Sequence, residues 1–206
     1  EMGHYVVARA LGFATGSVSL TVTMDLRHQG GASISLVRAI SSMEAMQQHL
    51  EARMMVLLAG AMAQTLPAKS SAGQRVDKSK ATAILKGEQG AQQDYAKIRE
   101  LQHLLRNILY PETDPVSSER ITAELKTLTD RVWQRTQDIV EGLSGIIAEL
   151  AAALVDGMAI VEQWGRAADT YEVVLTGQML ERLRAVQAIP TFGIGGPENS
   201  GRVFER

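Results

Sequence analysis

Apolar residues recur along this chain with two different periods, and the change of period divides it. From Ser17 to Thr23 the order alternates strictly, Val18, Leu20 and Val22 against Ser17, Ser19, Thr21 and Thr23, and Met24 extends the apolar set. A period of two predicts a strand with one face buried. The alternation resumes in Ala32-Ser-Ile-Ser-Leu-Val37 after the turn-like Asp25-Leu-Arg-His-Gln-Gly-Gly31, so the two runs read as a β-hairpin. This is the one clear strand signal.

The remaining apolar spacing is helical. A first helix is expected over about residues 1–12, where Tyr5, Val6, Ala8 and Ala10 run unbroken to Gly12. A second starts at Ser41-Ser42-Met43-Glu44, a serine cap with an acid in the first turn, and carries Met46, Leu50, Met54, Leu57 and Ala61 toward Pro67. A third covers about 91–109, with Tyr95, Ile98, Leu101, Leu105 and Ile108 on one face. Pro111 and Pro115 then bound a connector. The longest helix, about 117–155, repeats Leu125, Leu128, Val132, Ile139, Leu143, Ile146, Leu150 and Leu154, with a break expected near Gly142 or Gly145. A short helix capped by Thr176 is expected near 176–187. The polar, small-residue stretch 67–87 reads as a long mobile loop, and the Gly- and Pro-rich 188–206 as a flexible tail. The expected fold is mainly α, a helical bundle with one small β-hairpin near the start, forming one domain over 1–187.

Composition removes several function classes. Net charge is −2, without the basic excess that binding nucleic acid calls for, and aromatics are only 4%, too few for a base-stacking platform. There is no cysteine, so any metal must be held by histidine and carboxylate. No run approaches the roughly 20 apolar residues of a membrane-spanning helix. A cytoplasmic location is expected, on the cytoplasmic side of a membrane if an anchor stands upstream.

The four histidines narrow the chemistry further. The chain opens Glu1-Met-Gly-His4, the second to fifth letters of His-Glu-x-x-His. Two histidines at i and i+4 share one helix face and can grip one zinc ion, and the intervening glutamate sits where it can take a proton from water. The first letter would stand before Glu1. Glu100-Leu-Gln-His103 repeats the spacing, but Arg99 occupies its first ligand position. His28 reads as a solvated turn residue and His49 as a surface one. The methionines Met43, Met46, Met54, Met55 and Met62 read as adaptable core packing.

Taken in order, these pieces resemble the peptidase domain of the FtsH-type ATP-dependent zinc metalloproteases. Glu-Met-Gly-His at 1–4 matches the family's His-Glu-x-Gly-His, followed by the hairpin and a helix like Arg53-Met-Met-Val-Leu-Leu-Ala-Gly-Ala-Met-Ala-Gln-Thr-Leu66. Gly90-Ala-Gln-Gln-Asp94 matches the Gly-Ala-x-x-Asp element, residues 129–156 the long C-terminal helix pair, and Tyr171–Leu183 the closing helix. The resemblance implies a zinc-dependent endopeptidase acting on unfolded polypeptide, with His4 and Asp94 as metal ligands and Glu1 as general base. The third ligand would be the residue before Glu1. It leaves room for an ATPase domain or partner upstream and for a homo-oligomer. Two departures stand out: these residues contain no ATPase domain, and Gln64 and Thr65 replace the acidic pair the family often carries there. The alternative is a catalytically inactive module of the same fold, serving in binding or assembly. Broad specificity is expected, since no charged side-chain pocket is evident in the sequence.

Overall fold

The computed structural model describes residues 1–23, 28–36, 39–88, 91–112, 116–160 and 170–192. Its helices are α1 (Met2–Ala10), α2 (Met43–Ala63), α3 (Lys78–Ala83), α4 (Gln92–Leu109), α5 (Ser118–Gly142), α6 (Ser144–Asp156), α7 (Gly177–Glu181) and α8 (Arg184–Gln187). Its strands are β1 (Ala14–Thr23), β2 (His28–Ser35), β3 (Ala159–Ile160) and β4 (Thr170–Leu175), all antiparallel in the order β2-β1-β4-β3.

The helix α2 is the axis of the molecule. Ser42 caps it, its side chain accepting the Ala45 N–H at 3.0 Å. From Met54 to Met62 every residue is buried. A helix apolar on all sides needs cover on all sides, and here α1, α4 and α5 supply it. Each fully buried Leu or Met contributes about 1.5–3 kcal/mol, so Met54, Met55 and Met62 are structural core. Met43, at the exposed first turn, is not.

Contact between α1 and α2 depends on a missing side chain. A Cβ on Gly3 would stand 2.5 Å from the Ala59 carbonyl oxygen and 2.5 Å from the Ala63 Cβ. Glycine there lets the two backbones approach closely, and the rest of α1 is buried along with it, including Tyr5, Val6, Val7, Ala8 and Ala10.

The β-hairpin forms as the alternation requires, with Val18 buried and a register shift between Thr15 and Val18. His28, expected in the turn, instead begins β2 opposite Val22; the turn residues 24–27 lie outside the described residues. The sheet is larger than one hairpin. Tyr171-Glu-Val-Val-Leu175, taken in sequence with the closing helix, is strand β4, paired along β1 from Val18↔Leu175 to Thr23↔Thr170. Val173 and Leu175 are buried and Val174 is exposed, a period of two confined to three residues.

Other boundaries also moved. The long helix breaks at Leu143, between the two glycines expected to break it. The expected 176–187 helix is two short ones, because Leu183 takes an extended conformation, φ −78° and ψ 129°. Thr176 does cap the first of them. Stretch 67–87 is not one long mobile loop. Asp77 caps α3 through the Lys80 N–H at 2.9 Å, the chain then kinks at Gly87, where φ is 110°, and Val76, Ala81, Ile84 and Leu85 are buried. The 71–76 approach is fastened to the α5–α6 break: Gly73 N–H donates to the Glu141 carbonyl, Gln74 N–H to Ser144 Oγ and Val76 N–H to the Glu141 carboxylate. His49 is not a free surface residue either; its ring packs on Phe13 with centroids 5.9 Å apart. Of the expected tail, Ile189 is buried and Phe192 N–H donates to the Ala10 carbonyl at 2.8 Å; residues 193–206 lie outside the described residues.

Candidate metal centre

His4 and Asp94 meet. Ninety positions apart in sequence, they bring Nε2 and Oδ2 within 3.3 Å, His4 from the buried helix α1 and Asp94 from the first turn of α4. Both side chains are mostly shielded, at 15% and 25% exposure.

The imidazole is held in one orientation. His4 Nδ1 lies 2.8 Å from the Val56 carbonyl oxygen. A carbonyl only accepts, so Nδ1 carries the hydrogen and donates it, which turns Nε2 toward Asp94. Histidine metal ligands are commonly fixed in this way, the second ring nitrogen donating to a carbonyl. Space for the ring is made on α2: a Cβ on Gly60 would overlap His4 Nε2, Cε1 and Cδ2. Gly3 and Gly60 therefore interlock, each helix offering a glycine to the other.

Asp94 suits the same role. Burial alone would push its carboxyl up, but the adjacent His4, then the charges of Lys97 and Arg53, hold it below the usual aspartate value. It is ionised at neutral pH, as a metal ligand must be.

Spacing admits two uses of the pair. A charge-assisted N–H···O hydrogen bond closes to about 2.7–2.9 Å. Two ligands about 2.0–2.2 Å from one tetrahedral zinc stand roughly 3.4 Å apart. The observed 3.3 Å is within hydrogen-bond reach and also near the second value, so the pair fits either use.

Glu1, the expected general base, lines the same cleft of about 550 Å³ as His4 and Asp94. Its side chain lies over strand β2, where a Cβ on Gly30 would come 2.5 Å from Glu1 Cγ and 2.8 Å from Oε1. Strand β2 is the edge of the sheet, and Gly30, Gly31, Ala32 and Ile34 form one wall of the cleft. Arg53 and Lys97 also line it, so the cleft carries charges that the sequence reading did not anticipate. Among the described residues no group of three or more histidines and carboxylates is placed to hold a metal, so the chain residues brought together are the pair His4 and Asp94. His103 is exposed on α4 and lines a different cleft, away from the pair.

Sequence reasoning missed Val56, Gly60, Gly30, Arg53 and Lys97. Only Gly60 left a mark: an isolated glycine inside a strongly helical run costs about 1 kcal/mol against alanine and calls for a packing reason. No family model, curated protein or solved structure matches the chain.

Proposed function

We propose that the chain is a zinc-dependent metalloendopeptidase domain of FtsH type, acting on unfolded polypeptide. The observation that carries this reading is the 3.3 Å approach of His4 Nε2 to Asp94 Oδ2, with Nδ1 committed to the Val56 carbonyl. A neutral imidazole and an ionised carboxylate are a donor set that zinc accepts. The residue before Glu1 supplies the third protein ligand in this reading.

When bound, zinc supplies Lewis acidity, acidifying a water and polarising a carbonyl. The chain's own residues do the rest. His4 and Asp94 bind and orient, and Val56 keeps the imidazole from rotating. Glu1 is the general base, taking the proton from water and passing it to the departing amine. The open edge of β2 binds substrate: an extended peptide adds to it by main-chain hydrogen bonds, which register backbone and tolerate many side chains. Glycines at positions 30 and 31 keep that wall low where Glu1 leans over it. Strand addition requires an extended substrate, hence unfolded polypeptide. An ATPase domain or partner upstream, and assembly into a homo-oligomer, belong to the same proposal, as does a cytoplasmic location; among the described residues no helix is long and apolar enough to cross a membrane.

A second reading is the inactive binding or assembly module. It is favoured by the cations Arg53 and Lys97, whose charges already act on Asp94 without a metal. One experiment separates the two. The chain is prepared with a single histidine, or a single alanine, preceding Glu1, and zinc per chain and casein cleavage are measured. The peptidase reading expects one zinc and cleavage with histidine, and loss of both with alanine or with Asp94→Asn. No zinc above background in the histidine form would sink it.

A further inference from the structure

The opposite face of α4 borders a second cleft, of about 470 Å³, and its chemistry differs from the first. Its floor is apolar: Leu58 from α2, Leu85, Ile98 from α4 and Trp133 from α5, all buried. Its rim is cationic, with Lys78, Lys86, Arg99 and Lys126 against a single carboxylate, Asp130. That carboxylate is already engaged, 2.5 Å from Lys126 Nζ. Lys78, Lys86 and Arg99 form no ion pair among the described residues. In a chain of net charge −2, this is a local reversal of sign.

Two details on the floor point to a ligand. Trp133 Nε1 is buried and has no hydrogen-bond partner, although its side chain lines the cleft. A buried indole N–H left unpaired costs about 1–3 kcal/mol and calls for an acceptor. Lys78, an exposed residue on the rim, places Nζ 5.9 Å from the centre of the same ring, so a cation stands beside the apolar floor. The volume lies within the roughly 300–1,000 Å³ of small-molecule sites, which pair apolar walls with a few polar groups.

We propose that this cleft binds a small anionic amphiphile, its aliphatic or aromatic body on Leu85, Ile98 and Trp133 and its negatively charged head among Lys78, Lys86 and Arg99. Apolar area drives the body in, while the head answers cations that form no ion pair among the described residues. The inference does not rest on the peptidase reading. Asp94 and Lys97 face the first cleft, whereas Tyr95, Ile98, Arg99 and Gln102 face this one.

The test uses the whole chain carrying Trp164→Phe, which leaves Trp133 as its only indole. Decanoate is titrated below its aggregation concentration, with Trp133 emission and calorimetry read in parallel. Decanol keeps the body without the charge, and butyrate keeps the charge with little body. Saturable decanoate binding is expected, at least tenfold tighter than decanol or butyrate. Lys86→Glu with Arg99→Glu, both on the exposed rim, should weaken decanoate at least tenfold; a charge-matched pair elsewhere, Lys69→Glu with Arg184→Glu, should leave it unchanged. Circular dichroism melting confirms that each variant is folded. Absence of saturable binding by both readouts, equal affinity for decanol, or full affinity in the rim double variant each overturns the proposal.

Discussion

Substituting Gly60 with alanine separates the site from the fold. The added methyl would overlap the His4 imidazole, and the obstructed atoms are the far end of a side chain rather than backbone. The ring can therefore swing into the cleft, surrendering the 2.8 Å bond to Val56 and the 3.3 Å approach to Asp94. For the fold, the lost hydrogen bond costs about 0.5–1.5 kcal/mol, and the gain in helix propensity offsets about 1 kcal/mol. Stability should stay within about 1 kcal/mol of the parent by urea denaturation. For the site there is no offset. Losing the groups that orient a metal-bound histidine typically costs 10–100-fold in metal affinity, and zinc titration of protein with histidine before Glu1 should show at least that. An imidazole Nδ1 proton protected from exchange in the parent, visible by NMR, should vanish in Gly60→Ala whether or not zinc binds. Unchanged zinc affinity together with a retained Nδ1 proton would refute the reasoning, since the ring could not then occupy the position described.

Gly3→Ala should behave differently, because the obstruction is the Ala59 carbonyl and the Ala63 Cβ; backbone must move, and a loss of about 1–3 kcal/mol or more is expected in the same denaturation assay. Glu1→Gln should retain zinc while casein turnover falls about 10²–10⁴-fold, and a variant losing both equally would remove Glu1 from the role of base. Ser144→Ala removes a buried hydroxyl that donates at 2.7 Å toward the Ser71 carbonyl and accepts the Gln74 N–H at 3.1 Å; about 1–3 kcal/mol should be lost, with faster proteolysis near 68–76 as the local signature. Burial, aided by the Arg53 charge, holds His49 below its ordinary 6.5; below that pH the unfolded chain binds the extra proton, so stability should fall as pH drops from 7.5 to 5.5, and His49→Gln should flatten that slope.

Legibility tracked how much each signal depended on local sequence. Helix α2 was readable because Ser42 and a sustained apolar spacing agree with its cap and its burial. The β1–β2 pairing was readable because seven residues of β1 alternate without exception. Strand β4 was not: three alternating residues cannot be told from one turn of helix, and its identity is set by pairing with β1, about 150 residues earlier. Helix α3 hid for a related reason, since Lys-Ser-Lys-Ala-Thr-Ala is polar and only Ala81 of that helix is buried; the cap at Asp77 and the ties to Glu141 and Ser144 make it possible. At the candidate centre, Glu1, His4 and Asp94 were visible as residue types in an order that resembles a family. What holds them was not visible, because a carbonyl at Val56 and an absent side chain at Gly60 carry no chemical letter of their own.

That division bears on the choice between a metallopeptidase and an inactive module. Asp94 sits in the first turn of α4, its side chain mostly shielded at 25% exposure. The contact stands at 3.3 Å, with the imidazole turned by Val56 so that Nε2 faces the carboxylate and helps hold Asp94 ionised. Arg53 and Lys97 lie along the same cleft and act on Asp94 through their charge, but neither forms an ion pair with it. In the metallopeptidase reading that nitrogen and that oxygen would hold one divalent ion together, whereas in the inactive module the nitrogen would donate a proton to the oxygen. Placing His4 and Asp94 in this way demands two interlocked glycines and a helix buried on nearly every side.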